Sequence, residues 1–252
     1  MSGEFEGRTV LVTGAAGGLG AEIAMRFAQA GAHVVLHHRS PRDDVAALAE
    51  RIAAEAGVAP DTVRCDLTDE RDLERMFAES AAGRATILVN NAGAYPAKPF
   101  LDLTADDWMS THRLNVVAPF LCMQHAARAM TTHGGGSIVN ITSISADRAT
   151  PDQAHYGSSK AALRSLTRTA AVALAPHGIR VNAVSPGLLW RNGLETQWPE
   201  GVARWNDRAP TGRPVRPREV ADACVFLSST RAAGITGHEL VVDGGITAVT
   251  DY

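Results

Sequence analysis

Cysteine is scarce in this sequence, where Cys65, Cys122 and Cys224 stand far apart among 252 residues. An odd number of widely separated cysteines provides neither a disulfide framework nor the close pairs of a structural zinc site. The nine histidines are scattered, and even the adjacent His37 and His38 lack the spacing of a metal cluster. We therefore expect no metal site, and we expect the cysteines to be small buried hydrophobic residues in a reducing cytoplasm.

Long hydrophobic runs and an excess of positive charge are also absent. No apolar run approaches the roughly 18 residues that a membrane-spanning helix needs. Residues 1–8 contain neither a basic segment nor an apolar stretch, so we expect no signal peptide and a cytoplasmic location. The formal net charge of −3 argues against nucleic acid or an anionic membrane as the main partner.

Short β-branched apolar runs alternate along the chain with longer helix-favouring stretches. The runs predict strands at about 9–13, 33–37, 62–65, 86–90, 137–141, 179–184 and 239–243. The stretches between them predict helices at about 19–30, 43–56, 70–82, 105–130, 156–175 and 219–228. This alternation indicates an α/β fold, a Rossmann-like doubly wound parallel seven-stranded sheet with helices on both faces. Since no linker interrupts residues 1–252, we expect a single domain.

One segment, residues 186–217, departs from this alternation and is rich in proline, glycine, tryptophan and arginine. It follows the carboxyl end of a predicted strand, where open α/β sheets bind ligands, so we interpret it as a substrate lid. Trp190, Trp198 and Trp205 all lie in this lid. Two interpretations stay open for them: an apolar wall of the substrate pocket, or anchors for the lid's own helices or for a subunit contact.

Glycine is concentrated between the first strand and the first helix, in the turn Thr13-Gly14-Ala15-Ala16-Gly17-Gly18-Leu19-Gly20. Glycines allow a tight turn there, and the N-terminus of the following helix presents free N–H groups to a pyrophosphate. The spacing of Gly14, Gly18 and Gly20 departs from the usual G-x-G-x-x-G. Its place in the first βαβ unit nevertheless predicts dinucleotide binding.

The choice between the two nicotinamide cofactors is expected at the end of the second strand. A carboxylate there accepts a hydrogen bond from the ribose 2′-OH, whereas an arginine favours a 2′-phosphate. The sequence runs Leu36-His37-His38-Arg39-Ser40-Pro41-Arg42, and Asp43 is the first carboxylate. Arg39 can present a planar fork of donors to a phosphate, so the pattern favours NADP(H) over NAD(H). The alternative is that Arg39 only lies in solvent at the end of the strand.

Tyr156 and Lys160 lie at the start of a helix-favouring stretch, one turn apart on one face. A tyrosine with an unperturbed pKa near ~10 is a poor proton-transfer group at neutral pH. An ammonium about 4 Å away, at an effective dielectric of ~20, stabilises the phenolate by roughly 4 kcal/mol, which is sufficient to bring the pKa of the phenol near 7. The pair can therefore act as a general acid/base. The alternative is a surface helix that carries an incidental tyrosine and lysine.

Taken together, these motifs resemble the short-chain dehydrogenase/reductase family, over about residues 7–245. The resemblance is greatest to members like the ketoacyl-carrier-protein reductases and the sugar or alcohol dehydrogenases. The matching motifs are Thr13-Gly14-x-x-x-Gly18-x-Gly20, Asp66, Asn90-Asn91-Ala92-Gly93, Asn115, Ser143, Tyr156-x-x-x-Lys160, Asn182, Pro186-Gly187 and Thr236-Gly237-His238-Glu239-Leu240-Val241-Val242-Asp243-Gly244-Gly245.

The resemblance implies a catalytic tetrad of Asn115, Ser143, Tyr156 and Lys160. Tyr156 would transfer the proton, while Lys160 would lower its pKa and bind the nicotinamide ribose. Ser143 would hydrogen-bond the substrate oxygen, and Asn115 would hold a water that links Lys160 to solvent. Further implied cofactor contacts run from the phosphate turn past the adenine to the nicotinamide; they are Gly14, Gly18, Leu19, Gly20, Arg39, Asp66, Leu67, Asn90, Ala92, Gly93, Pro186, Gly187 and Leu189.

The implied activity is that of an NADPH-dependent oxidoreductase that interconverts a carbonyl and a secondary alcohol. One alternative is an NAD-dependent sugar or secondary-alcohol dehydrogenase. Another is a non-catalytic nucleotide-sensing scaffold, against which the presence of Ser143, Tyr156 and Lys160 argues.

Some positions depart from the family pattern or are open in function. Arg191 stands where many relatives carry a threonine, and it either binds an anionic substrate or is solvated. Further candidates for the pocket lining are Tyr95, Asp152, Gln153 and His155. The family also implies a homotetramer built on helices at about 106–130 and 157–175, with apolar surface from Leu114, Val117, Phe120, Leu121 and Met123.

Overall fold

Seven parallel strands form one sheet in the computed structural model, which describes residues 3–40 and 45–249. The strand order is β3-β2-β1-β4-β5-β6-β7, so the direction of winding reverses between β1 and β4. This is the doubly wound sheet expected from the sequence, and that prediction is confirmed. The strands are β1 (Thr9–Val12), β2 (His33–His38), β3 (Asp61–Arg64), β4 (Ile87–Asn90), β5 (Gly136–Ile141), β6 (Ile179–Pro186) and β7 (Glu239–Val242).

Helices cover both faces of this sheet. They are α1 (Gly18–Gln29), α2 (Val45–Ala56), α3 (Glu70–Glu79), α4 (Ala105–His112), α5 (Ala118–Thr132), α6 (Ala154–Leu174), α7 (Leu194–Gln197), α8 (Pro199–Arg208) and α9 (Pro217–Ser228). The first two residues of the helix predicted at about 43–56 lie outside the described residues.

Each face of the sheet packs against its own apolar cluster, because alternate residues of a strand point to opposite faces. Val10 and Val12 of β1 join the cluster that contains α1, α2 and α9. Leu11, between them, joins the cluster on the other face, which contains α3, α5 and α6. Burial on both faces explains why the strands read as continuous apolar runs. The three cysteines are buried in these clusters, as small hydrophobic residues would be.

Two predicted helices have different ends in the structure. The helix predicted at 70–82 stops at Glu79, because the Ser80 hydroxyl donates to the Met76 carbonyl at 2.7 Å and accepts from the Ala82 amide at 3.1 Å. That exchange starts a separate 3-10 turn. The helix predicted at 105–130 is interrupted by a π turn over Arg113–Val117. Turns of this kind often mark functional positions, because they displace one residue from the regular helical repeat.

The carboxyl edge of the sheet is where the segments of chemical interest meet. β6 runs two residues further than predicted, since Ser185 and Pro186 pair with Val241 and Val242 of β7. The lid that follows β6 is not irregular throughout, because it contains α7 and α8.

Candidate active site

A cleft with a volume of about 180 Å³ lies at this carboxyl edge. It brings together predicted site residues from segments far apart in sequence. They are Leu19, Gly93, Ser143, Tyr156, Lys160, Pro186, Gly187 and Leu189. Asn91, Ala94, Tyr95, Ile141 and Thr142 complete its lining. The structure shows that these residues converge on one cleft. Their roles toward a cofactor or substrate stay predictions.

Lys160 is buried on α6, with 5% of its surface exposed. Its Nζ donates a hydrogen bond of 2.8 Å to the carbonyl of Ile141, the last residue of β5. The same Nζ lies 5.8 Å from the centre of the Tyr156 ring. Burial disfavours the charged form and lowers the pKa of Lys160 to about 8.

Tyr156 has a pKa above its ordinary value, which corrects the sequence-based expectation of a pKa near 7. Burial of the phenol is the largest cause, and the hydrogen bond with Ser143 acts in the opposite direction without cancelling it. One nearby ammonium attracts a phenolate, but removing the phenolate from water opposes its formation more strongly. In the protein alone, the pair at neutral pH is therefore a phenol beside an ammonium.

Ser143 is placed by the turn that leaves β5. Its Oγ accepts a hydrogen bond of 3.1 Å from the Ser145 amide, which starts the 3-10 turn Ile144–Ala146. The hydroxyl of Ser143 also lies within hydrogen-bond reach of Tyr156. The two side chains thus present neighbouring O–H groups to the cleft.

Asn115 lies fully buried in the π turn and joins two walls of the cleft. Its Oδ1 accepts from the Ala94 amide at 2.9 Å, and its Nδ2 donates to the Ala94 carbonyl at 2.8 Å. Nδ2 also donates to Ser159 Oγ at 3.0 Å, on the helix that carries Tyr156. The side chain therefore acts as a clamp between the segment after β4 and α6. The predicted water site at Asn115 stays a prediction.

The glycine-rich turn is held closed by contacts with the segment after β4. Asn91 Nδ2 donates to the carbonyls of Thr13 and Gly14, at 2.9 and 3.1 Å. A Cβ on Gly20 would lie 2.2 Å from the Gly14 carbonyl oxygen, so only glycine allows the helix to approach this closely. Asn91 is a site residue that the sequence motif contains but does not single out.

The start of α1 fits a pyrophosphate. Gly17 is the N-cap residue and its φ and ψ are extended, but no side chain caps the helix there. A Cβ on Gly17 or on Gly18 would meet nothing within 4 Å, so the space above the turn is open. Uncapped N–H groups beside open space are the donors that bind phosphate at helix N-termini.

His37 supports this turn, a role that none of the sequence motifs indicates. It is 2% exposed in β2. The Gly14 amide donates to its Nδ1 at 3.0 Å, and its Nε2 lies 2.9 Å from the Cys65 carbonyl. Since an amide can only donate and a carbonyl only accept, the ring is the neutral Nε2–H tautomer. Burial agrees with this state, because it lowers the pKa of His37 to about 4. The sequence signal for this role was a polar residue inside an otherwise apolar strand, because a buried polar group needs hydrogen-bond partners.

The adenine side of the predicted site contains Arg39 and Asp66. Asp66 Oδ1 accepts from the Thr68 amide and hydroxyl at 2.9 and 2.7 Å, and these bonds hold its pKa below the usual range. The charge of Arg39 lowers the same pKa to a smaller extent, so the two side chains lie near each other. Arg39 is exposed at the end of β2, whereas the Leu67 side chain is buried in the core.

Asn90 does not present its side chain to the cleft, and its predicted contact with the cofactor stays a prediction. Its Nδ2 donates to Asn140 Oδ1 at 2.9 Å, and the residue is 3% exposed. Strand alternation sends Asn90 toward the helix side of the sheet and leaves Asn91 at the cleft. Ala92 contributes its amide to the Thr13 hydroxyl at 3.0 Å, which again supports the turn.

The lid tryptophans do not share one face. A Cβ on Gly187 would lie 2.8 Å from the Trp205 ring, whose Nε1 donates to the Arg213 carbonyl at 3.2 Å. Trp198 is 48% exposed and packs closely against Gly201, and Trp190 is 42% exposed. Trp205 is therefore the lid tryptophan beside the cleft, and Trp198 anchors the lid's own helix.

The remaining candidate residues differ in whether they line the cleft. Tyr95 lines the cleft and packs edge-on against Tyr156 at 6.3 Å. His155 is 1% exposed and lies outside the cleft lining. Asp152 is exposed, and Gln153 is the N-cap residue of α6. Arg191 donates to Gln197 Oε1 at 2.5 Å on the exposed surface of the lid.

Comparison with known proteins identifies the family. The protein-family model described as enoyl-(acyl carrier protein) reductase matches residues 14–247 of this chain. A cis-4-hydroxycyclohexanecarboxylate dehydrogenase from Sinomonas cyclohexanicum is 40% identical over 254 residues, which cover 99% of this chain and 100% of the relative. The chain is a short-chain dehydrogenase/reductase. It is accordingly an oxidoreductase that acts on CH–OH or C=O groups, as the resemblance implied.

Solved structures of short-chain dehydrogenase/reductases hold either nicotinamide cofactor. A gluconate 5-dehydrogenase from Burkholderia cenocepacia J2315, in complex with NADP and tartrate, has a TM-score of 0.90 and 33% identity, covering 98% of this chain and 97% of its own. A 7α-hydroxysteroid dehydrogenase complexed with NADH and 7-oxo-glycochenodeoxycholic acid has a TM-score of 0.87 and 36% identity, covering 96% and 94%. The family therefore binds NAD(P).

Within residues 3–40 and 45–249, no group of histidine, cysteine, aspartate or glutamate side chains has the arrangement of a metal site. No helix in the same ranges is long and apolar enough to cross a membrane.

Substitutions at His37 separate its two hydrogen bonds. In His37→Asn the amide oxygen replaces Nδ1 as the acceptor for Gly14, whereas in His37→Gln the amide nitrogen replaces Nε2 as the donor to Cys65. We expect His37→Asn to keep the cofactor Kd within about threefold and His37→Gln to raise it about tenfold, because an unpaired amide costs ~1–3 kcal/mol. Both should lower the Tm. Fluorescence titration measures the Kd, and equal Kd values for the two variants would contradict a positioning role.

Replacement of Lys160 tests the burial of its charge. The folded-state pKa of about 8 lies below the unfolded value of 10.5, so the unfolded chain binds the extra proton between these pH values. Wild-type stability therefore gains roughly 3 kcal/mol from this residue as pH rises from 8 to 10.5, a gain that Lys160→Met lacks. Urea unfolding of both proteins without cofactor should show Lys160→Met losing that much relative to wild type. A difference that stays constant over this pH interval would refute the assignment.

Proposed function

We propose that this short-chain dehydrogenase/reductase is an NADPH-dependent oxidoreductase that interconverts a ketone and a secondary alcohol, with Tyr156 as general acid/base. The observation that carries the proposal is the convergence of Ser143, Tyr156 and Lys160 in one cleft beside a turn that fits a pyrophosphate. The nicotinamide, when bound, supplies or accepts the hydride.

The chain's own contribution is the control of one proton. Because burial raises the pKa of Tyr156, its phenol is protonated at neutral pH and can donate to a carbonyl oxygen as that oxygen becomes negative. Ser143 places a second O–H beside the phenol. The ammonium of Lys160, with a pKa of about 8, loses its proton more readily than an exposed lysine does, so it can replace the proton that Tyr156 gives up.

Alcohol oxidation requires the reverse transfer, in which the phenolate of Tyr156 takes the hydroxyl proton. Since the phenolate fraction is small at neutral pH, this chemistry favours ketone reduction near pH 7 and oxidation at alkaline pH. Asn115 contributes by clamping the Ala94 segment to α6, and so fixes the distance between the two walls of the cleft.

Arg39 supports the preference for NADP(H). It is exposed at the end of β2 and close to Asp66, on the side where the adenosine ribose of a dinucleotide bound to the glycine-rich turn would lie. A second candidate, an NAD-dependent dehydrogenase of sugars or secondary alcohols, is supported by the relative that binds NADH. Measured cofactor preference separates the two.

The substrate is proposed to be a small secondary alcohol or its ketone. The 40% identical relative is named for cis-4-hydroxycyclohexanecarboxylate, so that compound and its 4-oxo counterpart are the first to assay.

We also propose a cytoplasmic homotetramer, with exposed apolar residues of the π turn and of α5 and α6 at subunit contacts. Val117, Phe120 and Val172 are 43%, 40% and 78% exposed, as such contacts require. Met123 is 2% exposed in the core and is not available, which corrects its predicted place at the interface. Leu121 packs against the same core.

Tyr156→Phe should lower kcat for ketone reduction by about 10²–10⁴-fold while the cofactor Kd changes less than about threefold, because only the proton donor is removed. Stopped-flow reduction and fluorescence titration measure the two quantities. Tyr95→Phe, which removes a hydroxyl from the neighbouring ring in the same cleft, is the matched control and should keep kcat. Near-native turnover by Tyr156→Phe would rule out the assigned role.

Arg39→Gln should lower kcat/KM for NADPH about 10–100-fold and leave kcat/KM for NADH unchanged, since a hydrogen bond to a charged phosphate contributes ~1.5–3 kcal/mol. Steady-state rates with each cofactor measure the effect. Arg51→Gln, an exposed arginine on α2, serves as the control for loss of surface charge. If wild type prefers NADH, or if Arg39→Gln affects both cofactors equally, the NAD-dependent alternative replaces the proposal.

A further inference from the structure

The segment that leaves β5 carries one of the O–H groups of the cleft, and the residues at its start are tied to other elements. The Ile141 carbonyl accepts from Lys160 Nζ at 2.8 Å, and the Ser143 hydroxyl lies within hydrogen-bond reach of Tyr156. Thr142, between them, is buried and also lines the cleft. The contacts of Thr142 therefore affect where the Ser143 hydroxyl lies.

Thr142 is bound to the two strands beside it. Its amide donates to the Val184 carbonyl of β6 at 2.9 Å. Its hydroxyl lies 3.0 Å from the same carbonyl and 2.6 Å from Oε1 of Glu239, the first residue of β7. A hydroxyl has one proton to donate, and the closer, charged acceptor forms the stronger hydrogen bond. The hydroxyl of Thr142 therefore donates to Glu239.

Arg164 connects Glu239 with the other end of this segment, from the helix that carries Tyr156. Its Nη1 donates to Asp147 Oδ2 and lies 3.6 Å from Glu239 Oε2. Thr142 precedes Ser143 by one residue, and Asp147 follows it by four. Both ends of the turn that contains Ser143 are thus held by one set of contacts around a single guanidinium.

The charges around Asp147 identify Arg164 as its main partner. The hydrogen bond from Arg164 is the largest cause that holds the pKa of Asp147 below its usual range, and the charges of Arg148 and Arg168 act in the same direction to a smaller extent. The same hydrogen bond raises the pKa of Arg164. Because the Asp147 side chain is 60% exposed, solvent screens the pair, so we expect it to affect geometry more than stability.

We infer that Arg164 is a positioning residue that holds the Ser143 hydroxyl against Tyr156. The turn that contains Ser143 is short, so fixing both of its ends leaves the hydroxyl few alternative positions. Among the described residues, Arg164 is not part of the cleft lining, so it acts through this turn and not on a bound molecule. Its effect on catalysis rests on the proposed function, whereas its effect on Ser143 is a property of the protein alone.

The phenolate fraction of Tyr156 reports the position of the Ser143 hydroxyl. The hydrogen bond with Ser143 lowers the pKa of Tyr156, so its loss must lower the phenolate fraction at a given alkaline pH. The chain has three tyrosines, and replacing Tyr95 and Tyr252 with phenylalanine leaves one phenol to measure. Ultraviolet absorbance at about pH 11 then gives the phenolate fraction. Circular dichroism of the same sample verifies folding, and Lys160 is kept in every variant.

In this background, Ser143→Ala should lower the phenolate fraction about tenfold and Arg164→Met at least about threefold, because each weakens a hydrogen bond to a charged group. Added to Ser143→Ala, Arg164→Met should change the fraction less than about 1.5-fold, since the two substitutions act on the same contact. Asp147→Ala should lower the fraction about twofold by freeing the same turn, although removal of a negative charge alone would raise it.

Arg26→Met is the matched control. It breaks a 2.6 Å ion pair between α1 and α9, and the Arg26 side chain is 26% exposed, close to the 21% of Arg164. It should leave the phenolate fraction unchanged, because the contact that it removes lies outside the turn of Ser143.

Three results would overturn the inference: an unchanged fraction in Arg164→Met, an equal loss with and without Ser143, or a rise in Asp147→Ala. If Arg164→Met does not fold, Asp147→Ala decides, because its side chain is exposed. Failure of the proposed function is a different result. It would appear as absent ketone turnover, or as turnover that survives Tyr156→Phe, whatever the phenolate fractions are.

Discussion

Polar groups at the carboxyl edge of the sheet must find hydrogen-bond partners, because the sheet is buried on both faces, and the architecture of the cleft follows from this constraint. Segments that leave such strands bring backbone amides and carbonyls into a region with little water, and each unpaired group there costs ~1–3 kcal/mol. The chain pairs them with side chains. Asn91 holds the carbonyls of the glycine-rich turn, His37 accepts from its amide, and Asn115 clamps the segment after β4. The side chains that form hydrogen bonds with these backbone groups therefore also form the framework of the cleft.

The same low polarity determines the proton chemistry. Burial opposes charge on Tyr156 and on Lys160, raising the pKa of the first and lowering that of the second. The phenol and the ammonium have nearly equal pKa values in water, and these two effects separate them. Lys160 becomes the stronger acid of the pair, while both groups keep their protons at pH 7. A pair adjusted in this way can exchange protons with a substrate and with solvent without a metal ion in the proposed mechanism.

A cavity with a volume of about 230 Å³ lies beside the cleft and is lined by a different part of the molecule. The cleft is lined by α6 and by the segments after β4 and β5, whereas this cavity is lined by the lid, the segment after β5 and the C-terminal turn. Trp205 separates the two spaces, and its indole is tied to Arg213 so that the lid packs against Gly187. The two spaces are therefore adjacent but are lined by separate sets of residues.

Local pattern in the sequence was sufficient for the sheet, for the glycine-rich turn and for the pair Tyr156 and Lys160, because apolar periodicity and helical spacing act over a few residues. Contacts between distant segments could not be predicted from local pattern. Three features of the site depend on strand alternation and on neighbours many residues away. They are which of Asn90 and Asn91 faces the cleft, the hydrogen-bond partners of His37, and the tryptophan that lies beside Gly187. The direction of the Tyr156 pKa shift belongs to this second group. Desolvation depends on everything that surrounds a side chain, and only the tertiary structure brings those surroundings together.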